Sequence, residues 1–273
     1  MPHMELTIAI NGYRSPEILR LCLQSVLKEM ATAGISYEIL VTDSATEEDT
    51  EMLMREEFPA VRFFPFKENV GFKTLVNTSI EQAEGEYIFL INSDILLSPG
   101  AVPSMLAYLK AHPEIGLLGP KQFNFNGSIQ ESCFHFYRPQ TILYRRIWSK
   151  LPFVKKHLRW FTLADEDLSQ PKAVDWIIGS AILVSKEKAL QVGPMDKQFF
   201  LYMEDVDWCR RFWEHGFKVV HYPDAFVYHY HGKGSARGGF FGSLLFNRLT
   251  WYHIESALRY FWKYRNKSLP KVG

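Results

Sequence analysis

Three carboxylates, Glu204, Asp205 and Asp207, lie within four residues, directly after the aromatic stretch Phe199–Tyr202. Clustering raises the pKa of at least one carboxyl group, and a carboxylate beside an apolar wall can act as a general base near neutral pH. The alternative is simple helix capping, since acidic side chains favour the positive end of a helix dipole. The cluster therefore predicts either a proton-accepting site or the start of a helix.

A second group is Asn92-Ser93-Asp94. The five apolar residues Tyr87–Ile91 fit a strand buried on both faces. Asp94 then follows the carboxyl end of that strand, where open α/β sheets bind ligands. The alternative is that Asp94 is a turn residue or caps the next helix.

A third group begins at His229 and His231. A His-x-His pair on a strand directs both imidazoles to one face, and His and Asp together are ligands for a divalent metal. The glycine-rich stretch 232–239 follows and carries Lys233 and Arg237, which can contact phosphate or close over a nucleotide. The alternatives are a polar surface strand and a plain connector.

Strands and helices alternate along the first part of the chain. The predicted strands are Leu6–Ile10, Tyr37–Thr42, Val61–Phe64, Tyr87–Ile91 and Ile115–Leu118. This order predicts an α/β fold, a Rossmann-like and mostly parallel sheet with helices on both faces. Asn11, Arg14, Asp43 and Asp94 follow strand ends. Because the carboxyl ends of parallel strands share one edge, we expect these residues to meet around one ligand.

After Pro120 the pattern is looser. An apolar stretch, 174–184, is broken at Gly179. A helix is predicted over Val206–His215 and a short strand over Lys218–His221. The aromatic-rich stretch Phe240–Tyr264 has helical spacing, which predicts a C-terminal helical tail.

The composition is typical of a folded protein, with 273 residues of which 47% are hydrophobic and 22% charged. No apolar run reaches the length of a membrane span, and no signal peptide is present. Cys22, Cys133 and Cys209 lie far apart, which predicts neither disulfides nor a zinc site and agrees with a reducing cytoplasm.

The charges are unevenly distributed. Residues 132–164 carry seven Lys or Arg and no acid, and residues 230–273 carry eight with one acid, Glu255. Because the whole chain has a net charge of only +1, no nucleic-acid partner is predicted. An anionic membrane surface or a lipid-pyrophosphate substrate explains two basic, aromatic segments better, and a solvated basic face is the alternative.

Motifs along most of the chain, from Leu6 to Ser235, follow an order found in a known family. They include Val41-Thr42-Asp43-Ser44, Asn69-Val70-Gly71-Phe72, Asn92-Ser93-Asp94, Asp175-Trp176 with Gly179, Phe199–Asp207 and His229–Ser235. In this order they resemble the inverting family 2 glycosyltransferases of GT-A fold, in particular a bacterial rhamnosyltransferase-like branch that builds cell-surface polysaccharides.

The resemblance implies a GT-A domain over 5–235 and a C-terminal helical extension over 236–273. Within the domain, 1–120 would be the nucleotide-binding half and 121–235 the acceptor and catalytic half. The donor would be a nucleotide-diphospho-sugar, dTDP-rhamnose or a UDP-sugar, used with a divalent metal, Mg²⁺ or Mn²⁺. The acceptor would be a glycan or polyprenyl-linked molecule. We expect a cytoplasmic protein, peripheral on the inner face of the bacterial plasma membrane.

The resemblance also implies residue roles. Asp205 would be the general base, with Glu204 beside it. The nucleotide-binding residues would be Asn11, Arg14, Asp43, Asn69, Lys73 and Asp94. Asp94 and His229 would bind the metal. Residues of the acceptor site or the closing loop would be Trp176, Gly179, Asp207, His231 and Arg237.

Three positions depart from the family pattern. Asn92 replaces the first Asp of a D-x-D motif, which leaves Asp94 as its only carboxylate. Arg14 stands where many relatives have Asn, and Val76 where many have Arg. These departures bear on the donor nucleotide and on how firmly the metal is held.

Two other functions stay open from the sequence. A sugar nucleotidyltransferase would place a glycine-rich, basic loop after the first strand, and Asn11–Arg14 is a poor version of one. A non-catalytic glycan- or lipid-binding protein would have lost its carboxylates, whereas Glu204–Asp207 is intact. The tail Phe240–Tyr264 would lie on a bilayer, pack on the domain or form a homodimer contact.

Overall fold

One mixed sheet organises the part of the chain that the structure, a computed structural model, describes: residues 4–145, 151–230 and 248–272. Its strands are β1 (Leu6–Tyr13), β2 (Tyr37–Ser44), β3 (Arg62–Phe66), β4 (Tyr87–Asn92), β5 (Ile95–Leu97), β6 (Ile115–Phe123), β7 (Ile129–Gln130), β9 (Lys172–Ala173), β11 (Ala181–Ser185) and β12 (Lys218–His229). A separate two-stranded sheet joins β8 (Cys133–Phe134) to β10 (Trp176–Ile177).

The main sheet runs in the order β3-β2-β1-β4-β11-β6-β12-β5, with β7 beside β6 and β9 beside β12. The pairs among β1 to β4 are parallel, and so is the pair of β6 with β12. Strand β11 runs antiparallel between β4 and β6. The predicted mostly parallel sheet is therefore confirmed, and the antiparallel strand β11 joins its two parallel groups.

The helices are α1 (Pro16–Met30), α2 (Glu48–Glu57), α3 (Phe72–Gln82), α4 (Ala101–Ala111), α5 (Pro139–Tyr144), α6 (Pro152–Phe161), α7 (Lys186–Val192), α8 (Glu204–Glu214) and α9 (Arg248–Lys263). Alternate residues of β4 show how they cover the sheet. Ile88 and Leu90 pack with the apolar side chains of α3, α8 and α9, and Phe89 and Ile91 pack with those of α1 and α4. Helices thus cover both faces, as predicted.

Two predicted strands are too short. Strand β6 continues from the predicted Leu118 to Phe123, and β12 continues from the predicted His221 to His229. They extend because their parallel pairing resumes after a register shift between Tyr222 and Phe226. This extension carries His229 to the edge where β4 ends.

Helix α9 buries Ala257, Tyr260 and Ser256 against the domain. One face of the predicted tail therefore packs on the chain itself; residues 240–247 lie outside the described ranges. In those ranges, no helix combines the length and the apolar character needed to cross a membrane. The division at residue 120 stays a prediction.

Candidate active site

The carboxyl ends of β1, β2 and β4 meet at one edge of the sheet. Gly12 of β1 is paired with Asp43 of β2, and Asn11 with Asn92 of β4. Asp94 follows two residues later. The structure therefore brings the predicted strand-end residues together, because parallel strands end on the same side.

Asp43 is the buried acid of this edge. The residue is 1% exposed, and its Oδ2 has no hydrogen-bond partner among the described residues. Burial raises the pKa of its carboxyl group. A Cβ on Gly12 would lie only 2.5 Å from Asp43 Oδ1, so this position requires glycine. A buried acceptor that lacks a donor is suited to an N–H or O–H group of a ligand.

Asn11 and Asn69 hold the surrounding backbone. The Asn11 amide donates to Ile91 O at 3.3 Å and accepts from Thr42 Oγ1 at 2.9 Å. Asn69 Oδ1 accepts from the Gly71 amide at 3.1 Å, which shapes the entry to α3. Both side chains stabilise the edge, and a direct contact with nucleotide stays a prediction for each.

Two basic residues lie near this edge. Arg14 has a left-handed backbone, with φ of 48°, and its half-exposed guanidinium lies 3.7 Å from Glu47. Lys73, in the first turn of α3, lies 5.3 Å from the centre of the Phe200 ring, and burial lowers its pKa. Lys73 thus stands between the strand-end residues and the segment that carries the carboxylate cluster.

Asp94 and His229 come together as predicted. Asp94 Oδ1 is buried and lies 3.4 Å from His229 Nε2, and His229 is 4% exposed. Gln130 of β7 lies 3.0 Å from His229 Nδ1 and fixes the ring from its other side. A hydrogen bond to the second ring nitrogen is the usual way in which a metal-binding imidazole is oriented.

The side chains at this edge suit a divalent cation that takes few protein ligands. Within residues 4–145, 151–230 and 248–272, no three or more His, Cys, Asp or Glu gather into a metal site. The pair Asp94 and His229 still fits, because Mg²⁺ and Mn²⁺ sites that serve phosphates need few protein ligands and take the others from phosphate and water. Asn92, which replaces a carboxylate, agrees with such a sparse site.

Asp205 is partly exposed and lies in the first turn of α8. Its Oδ2 accepts from the Gly179 amide at 3.1 Å and its Oδ1 from the Val206 amide at 2.9 Å. Burial raises the pKa of this carboxyl group, and the two N–H donors oppose that shift by stabilising the anion.

Glu204 has a different environment, although it is adjacent. It is 4% exposed and its Oε2 has no hydrogen-bond partner among the described residues. Burial first, and the charge of Asp205 second, raise the pKa of Glu204 to about 8. The two carboxyl groups therefore have unequal environments: Asp205 accepts two N–H groups that favour its anion, whereas burial favours the protonated form of Glu204.

The backbone before this pair is strained. Tyr202 and Met203 both have φ of 68°, a left-handed conformation that costs about 1–3 kcal/mol for each non-glycine residue. Together they end the preceding segment and direct Glu204 and Asp205 into the start of α8. Strain of this kind persists only where the surrounding structure holds it.

A short chain of contacts links Asp205 to the candidate metal site. Gly179 donates to Asp205, and the carbonyl of the next residue, Ser180, accepts from the Asn92 amide at 2.9 Å. A side chain on Gly179 would meet Phe72 at 2.9 Å. The tight strand connection at Gly179 thus fixes the carboxylate with respect to Asn92-Ser93-Asp94.

The remaining predicted residues lie apart. Trp176 is buried, stacks on Phe134 with ring centres 4.4 Å apart and donates to His135 O. Asp207 is 0% exposed and accepts hydrogen bonds from Lys263 and Tyr264, so it lines no open surface. His231 and Arg237 lie outside the described residues.

Sequence reasoning missed Gln130 and the left-handed pair Tyr202 and Met203. Gln130 lies on a two-residue strand between exposed residues, and its chemistry depends on contact with His229, 99 positions away. The left-handed pair offers no glycine or asparagine as a signal. Only the aromatic run before the carboxylates marked the segment as unusual.

The chain is similar to known glycosyltransferases in sequence. A family model described as "Glycosyl transferase family 2" matches residues 7–164. An N-acetylglucosaminyl-diphospho-decaprenol L-rhamnosyltransferase of Mycobacterium tuberculosis is 28% identical over 220 residues, covering 73% of this chain and 68% of that protein. The rhamnosyltransferase WbbL of Escherichia coli K12 is 24% identical over 211 residues, covering 72% of this chain and 71% of that protein.

Solved structures show the same fold. A structure of GalNAc-T7 with UDP, GalNAc and Mn²⁺ aligns with a TM-score of 0.62 and 14% identity, covering 83% of this chain and 43% of that one. A structure of TarS from S. aureus aligns with a TM-score of 0.56 and 15% identity, covering 83% and 37%. This chain therefore spans less than half of either solved chain, and the likeness confirms a GT-A-like fold.

The family match favours a glycosyltransferase over the nucleotidyltransferase and non-catalytic alternatives. It covers most of the strands and helices that build the nucleotide edge, from β1 to α6. The relatives add rhamnosyltransferases at similar coverage. The chain belongs to glycosyl transferase family 2 and is an enzyme that transfers a sugar from a nucleotide-sugar donor.

Proposed function

We propose that this enzyme inverts the anomeric carbon of the sugar it transfers and that Asp205 is the general base. The observation that carries the proposal is the unequal pair described above. Asp205 is partly exposed and accepts two backbone N–H groups that favour its anion, while burial favours the protonated form of Glu204. One available carboxylate beside one neutral acid supports a single proton-accepting step.

The reaction is a single displacement. Asp205 accepts the proton of an acceptor hydroxyl as its oxygen attacks the anomeric carbon from the face opposite the diphosphate. The bond from the anomeric carbon to the phosphate oxygen breaks, and its electron pair leaves with the nucleoside diphosphate. Because the new bond forms on the opposite face, the configuration inverts. Removal of the proton during attack contributes about 10²–10⁴-fold to such a rate.

The edge formed by β1, β2 and β4 binds the donor in this proposal. Asp43 accepts a hydrogen bond from the base or the ribose, which would satisfy its buried Oδ2. Lys73 supplies positive charge near the leaving diphosphate. Asp94 and His229 would hold a divalent cation, which neutralises diphosphate charge when it is bound. Arg14 and Asn69 border the same edge.

Rhamnose is the sugar proposed first, with dTDP as its carrier and UDP-sugars as the next candidates. The support is the pair of rhamnosyltransferases among the relatives. The acceptor is a hydroxyl of a cell-surface glycan or of a polyprenyl-diphosphate-linked sugar. The name of the Mycobacterium tuberculosis relative includes an acceptor of that lipid-linked type.

A lipid-linked acceptor requires the enzyme to approach the membrane, and we place that contact on α6 and α9. Helix α9 exposes Trp251, Leu258 and Trp262, which are 55%, 67% and 67% exposed and lie along one stripe. Helix α6 exposes Phe153 at 57% within its basic segment. Apolar side chains beside Lys and Arg are typical of peripheral contact with anionic lipid.

Co-sedimentation with vesicles tests the membrane contact. The protein should sediment with phosphatidylglycerol vesicles at low salt and stay in solution with neutral phosphatidylcholine. Replacing Trp251 and Trp262 by Ala should abolish the difference. If the protein does not bind anionic vesicles, sediments as a dimer, and becomes a monomer in the same variant, the stripe is instead a homodimer contact.

A donor panel tests the reaction. The enzyme is incubated with dTDP-rhamnose and a set of UDP-sugars, with a synthetic N-acetylglucosaminyl-diphospho-lipid as acceptor, and release of dTDP or UDP is measured. Proton NMR of the product then gives the anomeric configuration. Inversion is expected. Retention of configuration would refute the displacement, and no turnover with any dTDP- or UDP-sugar would refute the proposed donors.

A further inference from the structure

The C-terminal helix α9 contacts nearly every residue of the segment Gln198–Met203, which precedes Glu204 and Asp205. We infer that α9 is a positioning element for Asp205, and that Ser256 and the buried Asp207 are the contacts through which it acts. This inference rests on the proposed role of Asp205 as the base. It assigns a role in catalysis to a helix that lies beyond the residues matched by the family model.

The first part of the argument is the backbone that α9 supports. Tyr202 and Met203 have left-handed φ angles just before Glu204. Side chains of L-residues rarely adopt this conformation, and neither residue is a glycine that would relieve it. The direction in which Asp205 leaves the segment therefore depends on contacts from outside it.

Helix α9 supplies those contacts. Ser256 Oγ donates to the carbonyl of Leu201 at 2.9 Å, and Arg259 donates to the carbonyl of Gln198 at 2.6 Å. These two bonds hold the segment at both ends, because Gln198 lies before its aromatic run and Leu201 directly before the left-handed pair.

Two ring contacts add to these hydrogen bonds. The ring of Phe200 lies 5.0 Å from that of Tyr252, and the ring of Tyr202 lies 5.0 Å from that of His253. The aromatic residues of the segment thus pack on one face of α9. On the other side of the segment, a side chain on Gly71 would lie 2.5 Å from Phe200 O, so α3 also packs closely against it.

The second part is the anchor on α8 itself. Asp207, two residues after Asp205, is 0% exposed. Its Oδ1 accepts from Lys263 Nζ at 2.6 Å and from the Tyr264 hydroxyl at 2.8 Å, and its Oδ2 accepts from Arg211 Nε at 2.9 Å. A buried charge with three donors ties the first turn of α8 to the end of α9.

Helix capping does not account for Asp207. The N-cap residue of α8, Met203, makes no side-chain cap bond, and the Asp207 amide bonds to Met203 O in the ordinary helical pattern. The side chain is directed instead to groups at the far end of the chain. Arg210 continues the same interface, because its guanidinium lies 3.6 Å from the Tyr264 ring centre and donates to Ser268 O.

Two substitutions test the inference without removing the base. Ser256→Ala removes the donor to Leu201, and Tyr264→Phe removes one donor to Asp207 while keeping the ring. Because a misplaced catalytic group slows the chemical step, kcat should fall on the order of 10–100-fold. The KM for the donor should stay within about twofold, since donor contacts are untouched.

The matched controls are Ser104→Ala and Tyr222→Phe. These two side chains share one hydrogen bond of 2.8 Å between α4 and β12, away from the carboxylate segment. The controls remove the same chemical groups, so they should lower stability comparably and leave kcat unchanged. Equal losses of kcat in the controls and in the α9 variants would reduce α9 to a general stabilising element.

Amide hydrogen exchange gives a reading that needs no substrate. Ser256→Ala and Tyr264→Phe should both speed exchange over residues 198–207 and leave exchange over β1 to β4 unchanged. The two controls should leave residues 198–207 protected. Unchanged exchange at 198–207, or an unchanged kcat, would overturn the inference. If Asp205→Asn turns over at the wild-type rate, Asp205 is not the base. The exchange measurement would then still report whether α9 holds residues 198–207 in place.

Discussion

Replacing Asp205 by Asn is the most direct test of the proposed mechanism. Asn keeps the shape of the side chain and loses its ability to accept a proton. We expect kcat to fall by about 10²–10⁴-fold, the usual contribution of a general base. At about 1.36 kcal/mol for each tenfold, this is a loss of about 2.7–5.4 kcal/mol of transition-state stabilisation. Donor binding should persist, because Asp205 lies apart from the nucleotide edge.

The structure also predicts a stability cost. Both oxygens of Asp205 accept backbone N–H groups, from Gly179 at 3.1 Å and from Val206 at 2.9 Å. An amide has only one acceptor oxygen, so its NH₂ group must face one of these donors. An unsatisfied donor costs about 1–3 kcal/mol. The melting temperature should therefore fall by about 2–4 °C for each of those kcal/mol.

The chain offers a matched control in Glu29. Its carboxylate is also buried and accepts two backbone N–H groups, from Gly100 at 2.9 Å and from Val102 at 3.1 Å. Glu29→Gln should lower the melting temperature to a similar extent and leave kcat unchanged. The reasoning fails if Asp205→Asn loses less than about tenfold in kcat, or about 1.36 kcal/mol. It also fails if Glu29→Gln loses as much activity.

Three further predictions follow from the same site. The folded pKa of Glu204 is raised from about 4.5 to about 8, so the folded state keeps a proton that the unfolded chain releases, and stability falls as pH rises between these values. In thermal unfolding measured over a series of pH values, Glu204→Gln should lose this decrease in stability. The same pH dependence in the variant and the wild type would contradict the assignment to Glu204. Gly12→Ala should displace Asp43, because the new Cβ would lie 2.5 Å from Asp43 Oδ1. Binding of dTDP or UDP, measured by calorimetry, should weaken by about tenfold, or about 1.4 kcal/mol. An unchanged Kd would count against a nucleotide at this edge. Chelation should lower turnover and added Mn²⁺ should restore it, whereas full activity in chelator would rule out a required cation. His229→Ala should weaken Mn²⁺ binding, measured by electron paramagnetic resonance. The loss should be at least about 10–100-fold, the usual cost of losing a residue that only hydrogen-bonds to a metal ligand.

Much of the fold could be predicted from local patterns. The strand starts agree with the structure within one residue, and the helix predicted over Val206–His215 agrees within two, because periodicity acts within a few residues. The location of Asp43 and Asp94 at one edge of the sheet was predicted as well, since parallel strands end on one side. Asp94 and His229 lie side by side although the length of β12 was underestimated, and their role as metal ligands stays a prediction.

The carboxylate cluster shows most clearly what the sequence determines and what the fold determines. The sequence determined that Glu204, Asp205 and Asp207 open one helix, and this is what the structure contains. It assigned Asp207 to the acceptor site, whereas the structure places that residue in a buried anchor formed with a hydroxyl 57 positions away. The pKa of each carboxyl group depends on burial and on partners that the fold supplies, which no local pattern contains.

The sequence by itself determined the kinds of residue at this site and the elements that carry them. Only the tertiary structure decided the environment of each carboxylate, on which the proposed base depends. Two backbone N–H groups donate to Asp205, Oε2 of Glu204 is buried with no hydrogen-bond partner among the described residues, and Asp207 accepts from Lys263, Tyr264 and Arg211. Three neighbouring acids acquire three environments because their side chains leave one helical turn in different directions, and each direction meets a different part of the fold.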